Sequence, residues 1–90
     1  MNLGNDPESK AIDELTSRFA LLASLTENME GSDDARKIYG LTEHVLHGQD
    51  ASAEEAREVL RVMEQARIPQ MKNILREQRK EIERIVGQLE

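Results

Sequence analysis

The stretch Val62–Glu90, VMEQARIPQMKNILREQRKEIERIVGQLE, is nearly a third of the chain, and its reading decides the fold. Beyond Pro69, the residues Met71, Leu75, Gln78, Ile82, Ile85 and Leu89 follow one another in steps of four and three. That spacing keeps one stripe of a helix apolar. Gln78 is the one polar member of the stripe, and Ile74 and Val86 flank it. Upstream, Ala56, Val59, Leu60, Met63 and Ala66 form a similar face. Pro69 lies between the two faces. It lacks a backbone donor and clashes with the carbonyl four residues back. Its neighbours Ala66, Arg67, Gln70 and Met71 are good helix formers. Pro69 either kinks one long helix or separates two, and the helix-forming neighbours favour the kink.

Working back from there, Ser52-Ala53-Glu54-Glu55 matches a capping box and starts this third helix. A second helix runs from about Asp33 to His47, with Ile38, Leu41, Thr42, Val45 and Leu46 on its apolar side and Gly48 at its end. Gly40 lies inside it, either to let a neighbour approach closely or as a plain weakness of the helix. The first helix starts at Asp6-Pro7-Glu8, with Asp6 as N-cap. Ile12, Leu15, Phe19, Leu22, Thr26 and Met29 make its seam. Leu21 and Leu25 widen that seam, and Gly31-Ser32 ends the helix. Residues 1–5 read as a disordered N-terminus and 6–90 as a single helical domain. The expected fold is all-α: a small antiparallel bundle of three or four helices with a long, Pro69-kinked C-terminal helix.

Length sharpens the question of function. At ~1.5 Å per residue the first helix spans ~35 Å, the second ~20 Å and a continuous third ~55 Å. The shorter two do not cover the third along its whole length. Its last turns must pack on a second copy, meet another protein, or fold back at Pro69. The expected partner-binding residues are Met71, Leu75, Gln78, Ile82, Ile85 and Leu89, with Arg76 and Arg79 at the rim. Ninety residues with two aromatics, Phe19 and Tyr39, make a modest core. Small chains of this kind gain stability by oligomerising or binding a partner.

Composition excludes other classes. There is no cysteine, so neither disulfides nor thiol chemistry. No apolar run is long enough for a membrane span, and the N-terminus lacks a signal-peptide core. A cytoplasmic, soluble protein is the expectation. Net charge is −6, with 14 acidic and 6 basic residues through position 66 and 6 basic and 4 acidic from 67 onward. An acidic balance argues against nucleic acid as the main partner. No nucleophile, base and metal set converges in the sequence, so no enzyme, cofactor or metal is expected.

Two weaker signals lie in the second helix. His44 and His47, one turn apart and near Asp50, are an incomplete metal pair. The stretch HVLHG also resembles the H-x-L-K-G signature of histidine phosphotransfer domains, with His47 in place of the lysine. That resemblance implies a phosphoryl-accepting His44. Against it, QDASAEE reads as a helix break where that family continues its helix. An acidic inhibitor or anti-activator, of the kind phages carry, is a further alternative, motivated by the acids before residue 67.

The C-terminal stretch NILREQRKEIERIVGQLE is similar to the end of FliT-type flagellar export chaperones, which close on a pattern like R-x-E-L-x-x-L-L-G-Q-L. Arg79, Glu81, Ile82, Ile85, Val86, Gly87, Gln88 and Leu89 occupy those positions. SAEEAREVLRVMEQ resembles the preceding helix, so the resemblance covers residues 52–90. It implies an antiparallel bundle of three or four helices that binds a helical segment of an exported subunit or a flagellar regulator, with the apolar seam as binding face. Residues and resemblance thus point to a non-enzymatic, protein-binding helical protein.

Overall fold

Local sequence chemistry sets the helix ends. In a computed structural model, which describes residues 7–29, 31–48 and 52–90, α1 runs Pro7–Thr26, α2 Asp33–His47, α3 Ala53–Gln65 and α4 Lys72–Leu89. The Ser32 hydroxyl accepts the Ala35 N–H at 3.2 Å and so caps α2. Ser52 does the same for α3: its Oγ accepts the Glu55 N–H at 3.3 Å and donates to Glu55 Oε1 at 3.1 Å. The two bonds from backbone N–H groups satisfy donors that the first turn leaves open. Gly48 ends α2, its N–H shared between the His44 and Val45 carbonyls at 3.1 Å each. Asp6, the expected cap of α1, and residues 1–5 lie outside the described residues.

α1 stops earlier than its seam suggests. It ends at Thr26, and Met29 sits half-buried in the following turn. The Thr26 hydroxyl donates to the Leu22 carbonyl at 2.8 Å, so this buried polar side chain is satisfied by its own helix. Gly31 has φ +83, a left-handed conformation that glycine adopts without strain, and turns the chain into α2.

The largest departure is at Pro69. The chain does not kink there; it breaks. Ala66 (ψ 138) and Ile68 (ψ 93) are extended, and Pro69–Met71 form a single 3-10 turn before α4. A residue before proline is pushed out of the α region, which accounts for Ile68. The Arg67 N–H, freed from α3, donates to Asp34 Oδ2 at 2.8 Å. The flanking residues are good helix formers, but propensity differences are tenths of a kcal/mol per residue. Folding back buries Ile68, Met71, Leu75, Ile82 and Ile85 within the chain. At ~1.5–3 kcal/mol for each buried aliphatic side chain, that outweighs a few helical hydrogen bonds of ~1 kcal/mol.

The result is an antiparallel four-helix bundle. α1 packs on α2 and α4, and α3 packs on α2 and α4. Pairing of Arg18 with Gln78 and Glu81, and of Glu14 with Arg84, shows α1 and α4 running in opposite directions. The core comprises Leu15, Phe19 and Leu22 from α1, Ile38 and Val45 from α2, Ala56, Val59 and Met63 from α3, and the α4 seam. The fold class read from the sequence is thus the fold present, with four α-helices among the described residues and a long C-terminal one, and with the kink corrected to a break.

Candidate functional site

α4 and the turn before it carry the residues expected to meet a partner, and their position divides them. Met71, Leu75, Gln78, Ile82 and Ile85 are buried, and Leu89 is half-buried against the same core. The expectation of an open apolar seam is therefore corrected. The break at Pro69 turns that face inward, where α1 and α3 cover it. Gln78 shows how a polar residue is accommodated there: the Arg18 guanidinium donates to its Oε1 at 3.2 Å. Arg18 also reaches Glu81 at 3.4 Å, and Arg84 bridges Glu81 and Glu14. Among the described residues no buried side-chain nitrogen or oxygen lacks a partner. The hydrogen bond to Glu81 is the main influence raising the Arg84 pKa above its ordinary value.

Arg76 and Arg79 remain accessible, and they have company. A cleft of about 410 Å³ opens where α3 ends and α4 begins, lined by Met63, Glu64, Ala66, Arg67, Ile68, Pro69, Lys72, Leu75, Arg76 and Arg79. Its floor is apolar, from the buried Met63, Ile68 and Leu75. Its walls carry four cations against the single carboxylate of Glu64. Lys72, Arg76 and Arg79 stand at i, i+4 and i+7, which places them on one face of α4. Arg79 makes a loose pair with Glu83 at 3.9 Å. The side chains of Arg67, Lys72 and Arg76 enter no ion pair among the described residues. α4 also begins with neither a side-chain cap nor an acid in its first turn, unlike α2 and α3. Acids beside that end come from α2: Asp33 and Asp34 lie beside Arg67, Ile68, Pro69 and Gln70, and Asp34 accepts the Arg67 N–H. Apolar floor and cationic wall thus lie side by side at this end of the bundle.

Sequence reading found Leu75, Arg76 and Arg79 of this cleft. It missed Met63, Ala66, Arg67, Ile68, Pro69 and Lys72 as a group, because they come together only once the chain breaks. The available signal was the cations at 72, 76 and 79, spaced for one helix face in an otherwise acidic chain.

The histidines lie elsewhere. His44 is exposed on α2, and His47 Nε2 is 3.5 Å from Glu43 Oε2. Glu43 also accepts a hydrogen bond from the Tyr39 hydroxyl at 2.8 Å, which raises the Tyr39 pKa above its ordinary value of 10.0. Among the described residues no three His, Asp or Glu side chains gather to hold a metal ion. Asp50, named with the histidines, lies outside the described residues. No helix of the described residues is long and apolar enough to cross a membrane.

Architecture and site define a class: a small antiparallel four-helix bundle with a cationic, apolar-floored cleft at one end. No protein-family model, curated protein or solved structure matches the chain.

Proposed function

We propose that this protein is a non-enzymatic binding protein that holds a helical segment of another protein in the cleft between α3 and α4. The observation that carries this reading is the four-cation wall around an apolar floor in a chain of net charge −6. Helix-in-groove recognition needs both parts: apolar area for affinity, and charge placed to orient the partner. The similarity of residues 52–90 to FliT-type export chaperones supports a specific version. The partner is then a subunit or regulator kept unassembled while its helix is covered. The binding face moves, in this version, from the α4 seam to the rim beside it, where Arg76 and Arg79 stand.

A charge-matched comparison tests it. Arg76→Glu/Arg79→Glu and Lys10→Glu/Arg36→Glu change net charge equally, at the cleft and on α1 and α2 respectively. Quantitative co-isolation from the native host should lose the partner with the first pair and keep it with the second. Equal retention, or equal loss, contradicts the reading.

A further inference from the structure

We infer that the occupant of the cleft is an acidic amphipathic helix, with carboxylates in steps of three and four residues beside an apolar side chain. This rests on the cleft being the binding site, and it adds the partner's chemistry. Lys72, Arg76 and Arg79 recur at intervals of four and three residues, ~6 Å and ~4.5 Å along the helix axis. A partner helix lying along α4 presents charges at the same rise only if its acids follow the same steps. Arg67 adds a fourth cation at the mouth, beyond the end of α3. The apolar floor of Met63, Ile68 and Leu75 requires an apolar group between those acids. A nucleic-acid backbone satisfies the cations but brings no aliphatic side chain to that floor. A second copy of the chain is a poor occupant on size: ten residues line the cleft, against roughly 20–30 on each side of a stable interface. A two- or three-turn segment of a different protein suits both the ten-residue lining and the charge.

The probe is a fluorescein-labelled, hydrocarbon-stapled helix with Glu at j, j+4 and j+7 and Leu at j+3. A second has Glu at j, j+3 and j+7 and Leu at j+4, for the opposite orientation. The staple removes the folding cost that an isolated short helix carries. Fluorescence anisotropy with the full chain should show one of these binding at least ~10-fold more tightly than the same helix with Lys for Glu. Arg76→Glu/Arg79→Glu should reverse that preference, and its unchanged far-ultraviolet circular dichroism shows the bundle intact. No preference for Glu over Lys overturns the inference. So does tighter binding of an oligo-dT strand than of either Glu helix, or self-association of the chain that the Glu helix displaces. Failure of this inference differs from failure of the binding reading. Partner loss on co-isolation with no Glu-helix binding keeps the cleft and rejects the acidic helix. Co-isolation indifferent to Arg76 and Arg79 rejects the cleft itself.

Discussion

Single residues explain where polar groups are tolerated and where they are not. Gln78 interrupts an apolar stripe, and the sequence offers no hint of its partner 60 positions away. Arg18 is that partner, 3.2 Å distant. Its selection depends on α1 and α4 running antiparallel, which no local pattern in the chain specifies. Gly40 is the converse case. An added Cβ there meets nothing within 4 Å, and the residue is exposed. Close helix approach is therefore excluded as its reason, and the plain weakness of α2 remains. Gly40→Ala should stabilise the protein by about 1 kcal/mol through helix propensity alone. Urea denaturation reads this as a higher midpoint at unchanged slope. A lower midpoint would mean that α2 needs the glycine.

At the scale of elements, caps and seams were legible and the break was not. Ser32 and Ser52 act within three residues of themselves, so their roles could be read from neighbours in the chain. The α4 seam was legible as a seam for the same reason: its spacing is a property of one helix. What it packs against is not. Pro69 left two outcomes open, kink or break, and local propensity favoured the kink. Burial of Ile68 and the α4 seam against α1 and α3 decided for the break, and that gain lies in tertiary contacts. The seam is consequently core. Ile82, fully buried, should not tolerate a charge. Ile82→Asp should cost several kcal/mol, because an unpaired carboxylate enters the core. A bundle of this size has about that much stability in total. Circular dichroism should show lost cooperative unfolding. A native-like melt would mean that α4 stands free of the bundle, as an open binding face requires.

Across the whole molecule, folding back of α4 changes what the chain requires of others. An uncovered 55 Å helix needed a second copy or a partner; the bundle present needs neither to cover its seam. That reason for a dimer is withdrawn. What remains is a charge asymmetry, net −8 before residue 67 and +2 from residue 67 onward, and the break gathers Arg67, Lys72, Arg76 and Arg79 around one cleft. The asymmetry was visible in composition, but its gathering into a site was not, since Met63 and Ile68 join Arg76 only through the reversal at Pro69. The central claim, that partners engage this end of the α3–α4 hairpin, is tested most directly by site-specific photo-crosslinking in the native host. A photoreactive residue is placed in turn at Ser17 on α1, Arg36 on α2, Arg57 on α3 and Arg76 on α4. All four positions are exposed. The account predicts a discrete adduct from position 76, mapping to an acidic helical segment of another protein, and none of comparable yield from the other three. A dominant adduct from position 17, 36 or 57, with none from 76, would contradict it.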